Sequence, residues 1–290
     1  MVHPVALSIY RILNRDMRED GHMARLKKMH PGSCALVTGA TGGIGKELCE
    51  NLARQKEHET IALVGRNNTE LKALANSLQK KYGVKTCVLI ADFSKPDGVE
   101  KLVSKVRGAN LVVETLVNNA GFGYDANFVD SDAKRQQALV QTNVMALMDL
   151  CLAFVPDMAK RKHGNVLNVA SVAGFLPGPR MATYYASKAF VQSFSNALHM
   201  ELRFHGVHVT ALCPGPVRTP FWDRADAEKT AIAHMTMSPS VVASSALLAL
   251  KLNRMLCSPG LFAKTIVFSS RLLPRSWAGT IAAALQTPKE

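Results

Sequence analysis

CALVTGATGGIG occupies residues 34–45 of this chain. Its first five residues, 34–38, are apolar or small, which is typical of a strand buried on both faces of a sheet. Glycines then cluster ahead of Ile44, Leu48 and Leu52, whose spacing of four marks the buried stripe of a helix. Glycine permits a tight turn between strand and helix and lets backbone N–H groups approach an anion at the positive end of that helix. The segment therefore predicts a strand, a turn and a helix that can bind a pyrophosphate.

The same alternation of strand and helix continues along the chain. Strands are predicted at 34–38, 60–65, 85–91, 114–118, 165–171 and 207–213, and helices near 95–107, 133–161 and 182–205. Because these strands are apolar throughout, we expect a parallel sheet whose two faces are both covered by helices. The rhythm never breaks, so we predict an α/β fold with a single doubly wound domain.

Composition excludes several classes of protein. The chain has 290 residues, 48% of them hydrophobic and 20% charged, which fits neither a disordered nor a fibrous protein. Its six cysteines are scattered singly without any C-x-x-C pair, which predicts reduced, buried thiols. The N-terminal residues include charged side chains where a signal peptide has a continuous apolar core. We therefore expect a cytoplasmic protein.

Positive charge dominates, with 35 Lys and Arg residues against 22 Asp and Glu residues and a formal net charge of +13. Much of the excess lies at the two ends, because residues 1–33 carry a net +3 and residues 241–290 a net +5. The sequence has no zinc-finger spacing, no aromatic RNA-binding motif and no run of Lys and Arg longer than the three at 160–162, so we predict no nucleic-acid partner. We attribute the charge to a solvated surface and to attraction for a phosphorylated cofactor.

The residue after the second predicted strand bears on the choice of cofactor. About 20 residues past the glycine cluster, a site for NAD places an acidic residue that binds the ribose hydroxyls. This chain has Gly65-Arg66 there instead. An arginine can bind the 2′-phosphate of NADP through charge-assisted hydrogen bonds, whereas a carboxylate would repel it. We therefore predict NADP(H); the alternative is that Arg66 is a solvated loop cation.

Tyr184 and Lys188 lie four residues apart at the start of a predicted helix, so both project from one face. A phenol with a pKa near 10 exchanges protons poorly at neutral pH, and a neighbouring ammonium group stabilises its ionised form. The pair could therefore serve general acid and base catalysis. The spacing alone fits a contact on the helix surface equally well.

Further motifs occur in order along the chain. They are Thr38-Gly39-x-x-x-Gly43-Ile44-Gly45, Asp92, Asn118-Asn119-Ala120-Gly121, Asn143, Ser171, Tyr184-x-Ala186-Ser187-Lys188 and Pro214-Gly215. In order and approximate spacing this set resembles the classical short-chain dehydrogenase/reductase family over about residues 33–220. Within the family it is similar to hydroxysteroid-type and broad carbonyl-reducing bacterial members. The fold that the resemblance implies is of the Rossmann type.

The resemblance implies that Asn143, Ser171, Tyr184 and Lys188 form a catalytic tetrad. Tyr184 would exchange a proton with the carbonyl oxygen that Ser171 holds. Lys188 would lower the pKa of Tyr184 and bind the nicotinamide ribose, and Asn143 would position a water between Lys188 and solvent. No metal is required by this chemistry, and we predict none.

The resemblance also implies a set of cofactor-binding residues. Asp92 and Asn119 would face the adenosine, and Thr219 would face the carboxamide. The full set is Gly39, Thr41, Gly43, Ile44, Gly45, Arg66, Asp92, Asn119, Ala120, Gly121, Tyr184, Lys188, Pro214, Gly215, Val217 and Thr219.

The predicted substrate is a hydrophobic ketone or aldehyde, or the corresponding alcohol. Residues 216–238 lie where the family's variable substrate lid falls, and residues 174–177 would form the opposite rim. The apolar side chains of the lid are Phe221, Trp222, Ile232, Met235 and Met237. They could equally pack against the domain or against a neighbouring subunit. The resemblance implies a homodimer or homotetramer formed through the predicted helices 133–161 and 182–205.

We divide the chain into a leader (1–30), an NADP-binding catalytic domain (31–255) and a basic C-terminal extension (256–290). Met23 could equally be the native start. The leading hypothesis is an NADP(H)-dependent oxidoreductase acting on CH–OH groups. Two alternatives are a non-catalytic protein that senses NADP(H) and a peripheral membrane enzyme that reduces lipid carbonyls and contacts lipid around Trp277.

Overall fold

The computed structural model describes residues 31–227, 236–270, 272 and 274–286. The predicted leader, residues 1–30, lies outside the described residues, and so does the alternative start at Met23. Residues 228–235 of the predicted lid, which include Ile232 and Met235, also lie outside them.

Strands and helices alternate through the described chain. The strands are β1 (Ser33–Thr38), β2 (Thr60–Gly65), β3 (Lys85–Ile90), β4 (Val112–Asn118), β5 (Gly164–Val169), β6 (Val207–Leu212) and β7 (Leu256–Cys257). The helices are α1 (Gly43–Gln55), α2 (Asn68–Tyr82), α3 (Gly98–Gly108), α4 (Ala133–Val140), α5 (Ala146–Lys160), α6 (Ala182–Leu202), α7 (Phe221–Arg224), α8 (Pro239–Lys251), α9 (Leu261–Ser269) and α10 (Arg275–Gln286). A π-helical turn, Gln141–Met145, joins α4 to α5.

The strands form one parallel sheet in the order β3-β2-β1-β4-β5-β6-β7. Successive residues of a strand point to opposite faces, and Leu36 and Val37 of β1 accordingly belong to two separate cores. Residues of α3, α5 and α6 complete the first core, and residues of α1, α2 and α8 complete the second. The predicted doubly wound sheet with helices on both faces is confirmed.

This topology creates a crevice above the centre of the sheet. β1 pairs with β2 on one side and with β4 on the other, and the chain crosses to α1 after β1 but towards the opposite face after β4. The two connections diverge at the carboxyl ends of these strands, which is where ligands bind in open α/β sheets.

The sheet continues past the predicted end of the domain at residue 255. β7 extends it by two residues, with Cys213 N–H donating to the Cys257 carbonyl over 2.7 Å and Ala211 N–H donating to that of Met255 over 3.0 Å. A strand of two residues is too short to show any periodicity in the sequence. Residues 256–257 therefore belong to the core sheet rather than to an appended segment.

The predicted helix 133–161 is observed as α4, the π-helical turn and α5. By length and composition this run, Ala133–Lys160, is long and apolar enough to cross a membrane, the only such run among the described helices. Here Leu150, Phe154 and Met158 are buried against the sheet, so the run is a core helix of the domain.

Candidate functional site

A cleft of about 610 Å³ occupies the crevice at the carboxyl ends of the strands. One end is lined by the glycine turn and by polar residues that follow β2, β3 and β4. The other end is lined by apolar side chains from the 3-10 turn after β5, the start of α6, α7 and the two C-terminal helices. The cleft can therefore hold a polar and an apolar group side by side.

The glycine turn after β1 has no room for side chains. Gly39 has a positive φ of 63°, and a Cβ there would approach the Asn119 side-chain nitrogen to 2.9 Å. A Cβ on Gly45 would collide with the Gly39 carbonyl oxygen, and one on Gly43 would collide with the Thr219 side chain. Gly42 provides no side-chain cap, so the first N–H groups of α1 can bond an anion.

Thr38 and Asn119 tie the glycine turn to the loop after β4. The Asn119 amide donates to the Thr38 and Gly39 carbonyls over 2.9 and 3.0 Å. The Thr38 hydroxyl accepts from the N–H groups of Asn119 and Ala120 over 2.9 and 3.0 Å. The predicted adenosine residue Asn119 therefore holds the shape of the turn. Our predicted site omits Thr38, although its position at the last residue of the strand pointed to it.

Charged residues lie at the adenosine end of the cleft. Arg66 is exposed, and the Asp92 carboxylate accepts from the Ser94 N–H and hydroxyl over 3.0 and 2.7 Å. Burial alone would raise the pKa of Asp92, but these hydrogen bonds and the charge of Arg66 outweigh it and hold the pKa below its ordinary value. Glu70, also at this end, is bonded by the Asn67 amide over 2.8 Å.

The π-helical turn places Asn143 inside the protein. Its amide nitrogen donates to the Phe122 carbonyl over 3.0 Å and to the Ser187 hydroxyl over 3.1 Å, while its oxygen accepts from the Phe122 N–H over 3.1 Å. The Ser187 hydroxyl in turn donates to the Tyr184 carbonyl over 2.6 Å. Asn143 thus joins the loop after β4 to the first turn of α6, in addition to any contact with water that we predict for it.

Tyr184, Lys188 and Ser171 meet between the two ends of the cleft. Lys188 Nζ donates to the Val169 carbonyl over 2.8 Å and lies 5.7 Å from the centre of the Tyr184 ring. A side-chain hydrogen bond joins Tyr184 to Ser171, whose hydroxyl oxygen also accepts from the Ala173 N–H over 3.1 Å. Three residues of the predicted tetrad therefore meet in the cleft, and Asn143 is connected to them behind it through Ser187, which bonds the Tyr184 carbonyl.

Burial controls the proton affinities of this group. It raises the pKa of the Tyr184 phenol well above its ordinary value, and the hydrogen bond with Ser171 only partly opposes it. Burial also lowers the pKa of Lys188 to about 8. We predict that Lys188 lowers the pKa of the Tyr184 phenol. In the protein without cofactor, burial has the larger effect, and the pKa of this phenol is raised.

Aromatic side chains line the apolar end. The Phe221 ring lies 5.4 Å from that of Tyr184 and 5.5 Å from that of Trp222, whose indole N–H donates to the Val217 carbonyl over 3.0 Å. Val217 and Met237 pair as a parallel bridge, which brings the two ends of the predicted lid together.

The C-terminal helices complete the apolar end, which the sequence reasoning missed. Ile266 of α9 and Ala282 of α10 line the cleft, and Ala278 and Ala282 are buried. In the sequence, the alanines at 278 and 282, four residues apart, are a signal that one face of α10 packs closely against the domain. Among the residues that the structure describes, no three His, Cys, Asp or Glu side chains come together as metal ligands.

Residues 33–230, more than half of the chain, match the sequence profile of the short chain dehydrogenase family. The chain belongs to the short-chain dehydrogenase family. The rat protein named very-long-chain 3-oxoacyl-CoA reductase is 34% identical over 209 residues, which are 68% of this short-chain dehydrogenase and 65% of the rat protein. The matched region thus spans less than two thirds of that relative's length.

Solved structures of the family agree with this fold. A short-chain dehydrogenase from Sphingobium yanoikuyae, solved in complex with NADPH, has a TM-score of 0.74 at 30% identity, covering 83% of this chain and 93% of that one. The bulky-bulky ketone specific alcohol dehydrogenase from Comamonas testosteroni has a TM-score of 0.70 at 27% identity, covering 82% and 92%. The predicted family is confirmed.

Proposed function

We propose that this short-chain dehydrogenase is an NADP(H)-dependent oxidoreductase that interconverts a hydrophobic ketone or aldehyde and the corresponding alcohol. The observation that carries the proposal is the meeting of Ser171, Tyr184 and Lys188 at the boundary between the polar and apolar ends of the cleft. A proton donor at that boundary can act on a carbonyl held in the apolar end.

The residues at the polar end fit a phosphorylated dinucleotide. The absence of side chains at Gly39, Gly43 and Gly45 lets the turn pack closely against its neighbours, and the first N–H groups of α1 suit a pyrophosphate. Arg66 is exposed beside Asp92, where a guanidinium group suits the 2′-phosphate of NADP. When bound, the reduced cofactor supplies the hydride that the carbonyl carbon accepts.

Tyr184 donates the proton in this mechanism. Because burial keeps the pKa of its phenol raised, the phenol stays protonated at neutral pH, which is the state that can protonate a carbonyl oxygen. The Ser171 hydroxyl, bonded to Tyr184, can bond the same oxygen. The Lys188 ammonium group, which donates to the Val169 carbonyl and lies 5.7 Å from the centre of the Tyr184 ring, can stabilise the phenolate that proton transfer leaves.

We propose a ketone on a long acyl chain as the substrate class. The apolar end is built from Met181, Phe221, Trp222, Ile266 and similar side chains, which suit an alkyl chain. Relatives named very-long-chain 3-oxoacyl-CoA reductase and a neighbour described as specific for bulky-bulky ketones support this choice. A 3-oxoacyl thioester combines a ketone with such a chain and is the first compound to test.

We also propose a homo-oligomer that works in the reducing cytoplasm. Leu152 of α5 and Met200 of α6 are 65% and 51% exposed, so the outer faces of these helices offer apolar surface to a second subunit. All six cysteines are free, which suits a reducing compartment.

The experiment measures NADPH consumption with 3-oxoacyl-CoA thioesters and other hydrophobic ketones, with NADH in parallel. Turnover that prefers NADPH supports the proposal. Tight NADP(H) binding with no turnover on any ketone would favour the non-catalytic sensor instead.

A further inference from the structure

An apolar stripe runs along the outer face of the C-terminal helical region. Leu261, Phe268 and Leu272 are 81%, 68% and 71% exposed. Leu261 and Phe268 are spaced by seven residues, which keeps their side chains on one face of α9, and Leu272 follows three residues after the end of that helix. The exposed Lys264 lies within the same face. We call these four residues the C-terminal stripe.

The opposite side of the same helices faces the protein. Ala263 of α9 is buried, Ile266 lines the cleft, and Ala278 and Ala282 of α10 are buried. Packing on that side fixes which side chains point outward. Trp277, near the start of α10, is 65% exposed and is an aromatic side chain of the kind that favours membrane interfaces.

The sequence that contains the stripe is basic. Residues 229–289 contain seven Lys and Arg residues and no Asp or Glu. A monomeric soluble protein rarely places several large apolar side chains together on its surface without a partner. Apolar side chains embedded in purely basic sequence complement a surface that is apolar beneath and negatively charged on top, which describes an anionic lipid bilayer.

We propose that the C-terminal stripe docks this protein on the surface of an anionic lipid bilayer. The leucine and phenylalanine side chains enter the acyl boundary, and Lys264 keeps its ammonium group among the headgroups while its methylenes lie along the apolar surface. Docking by itself does not require the proposed reductase activity. Docking would also bring the apolar end of the cleft, which Ile266 and Ala282 of the C-terminal helices line, close to substrates in the membrane. This second consequence rests on the proposed function.

The test is sedimentation of the full-length protein with vesicles of phosphatidylcholine alone and of phosphatidylcholine mixed with phosphatidylglycerol. We expect binding to the mixed vesicles only, weakening as salt screens the charges. Phe268→Ser should lower the vesicle partition coefficient about tenfold, since it removes one buried aromatic side chain. Lys264→Glu should lower it by a similar factor, because it reverses one charge near the surface.

Phe128→Ser is the matched control. Phe128 is 71% exposed, almost the same as Phe268, but it lies beside Asp130 and Asp132 rather than in basic sequence. We expect Phe128→Ser to bind like the wild type. Emission from Trp277 should shift to the blue on binding, and Trp277→Phe should abolish that shift, leaving only the half-buried Trp222.

Three outcomes would overturn the proposal. The first is wild-type protein that stays in solution with the mixed vesicles. The second is equal binding by the Phe268→Ser and Phe128→Ser variants. The third is self-association in analytical ultracentrifugation that Phe268→Ser abolishes while vesicles have no effect, which would mean that a second copy of the chain covers the stripe. Far-ultraviolet circular dichroism checks that each variant is folded. If Phe268→Ser does not fold, the comparison of Lys264→Glu with the wild type tests the proposal.

Discussion

Lys188 is a charged side chain in a buried site, so replacing it should stabilise the fold while removing function. Its side chain is 6% exposed, and burial lowers its pKa from 10.5 to about 8. That difference makes the charged form about 3 kcal/mol less stable in the folded protein at pH 7. Lys188→Met removes this penalty but also loses the hydrogen bond to Val169, which contributes about 1 kcal/mol. We therefore expect the variant to be about 2 kcal/mol more stable at pH 7.

The pH dependence follows from the direction of the shift. Because the folded protein holds the Lys188 proton less tightly than the unfolded chain, the penalty is fully present below pH 8 and disappears as the pH rises through 10.5. The stability advantage of Lys188→Met should therefore shrink steadily above pH 8 and vanish above about pH 10.5.

Equilibrium urea unfolding of the cofactor-free proteins between neutral and alkaline pH measures this difference. Lys46→Met, which replaces an exposed lysine of α1, is the control, and we expect it to change stability by less than about 0.5 kcal/mol. A Lys188→Met variant that is less stable than the wild type at pH 7, or whose advantage does not depend on pH, would refute the reasoning.

Three further substitutions test separate parts of the site. Arg66→Asp should lower the ratio of kcat/KM for NADPH to that for NADH between about tenfold and a hundredfold, the range expected for one charged hydrogen bond; an unchanged ratio would make Arg66 a solvated loop cation. Gly45→Ala should weaken NADP(H) binding at least about tenfold in calorimetry, because its Cβ meets a backbone carbonyl, whereas Gly108→Ala, whose Cβ meets open space, should bind normally; equal affinities would mean that the turn relaxes. Ser187→Ala should lower kcat about tenfold with little change in the KM for NADPH, because it frees the first turn of α6 from Asn143, and a wild-type kcat would remove Ser187 from the positioning of Tyr184.

Much of the fold could be predicted because its signals are local. The strands β1, β2, β3 and β6 are largely apolar runs of strand length, and the observed bounds lie within one residue of the predicted ones. The glycine turn could be predicted because glycine is needed where a Cβ would collide, as at Gly43 and Gly45. Signals of this kind depend on a few neighbouring residues and are therefore visible in one sequence.

Other features depend on contacts between distant segments. The π-helical turn at Asn143 is a single turn inside a longer helical run, so the sequence alone indicated one unbroken helix. Thr38 takes its role from N–H groups of the loop after β4, more than 70 residues away. The raised pKa of Tyr184 is a consequence of burial, which spacing along a helix does not reveal.

The C-terminal segment shows the same limit most clearly. Its basic composition suggested an appended extension, yet Leu256 and Cys257 extend the sheet and Ile266 and Ala282 line the cleft. Small side chains such as Ala278 mark close packing only when the surface they pack against is known.

The most direct test of the central claim is the rate of NADPH oxidation with a long-chain 3-oxoacyl-CoA, measured for the wild type and for Tyr184→Phe. We predict turnover by the wild type and a loss of about 10²-fold to 10⁴-fold in kcat for the variant, because the phenol hydroxyl is the proton donor. Turnover at the wild-type rate by Tyr184→Phe would contradict the assigned proton donor. A wild type that binds NADPH tightly and reduces no ketone would contradict the proposed function itself.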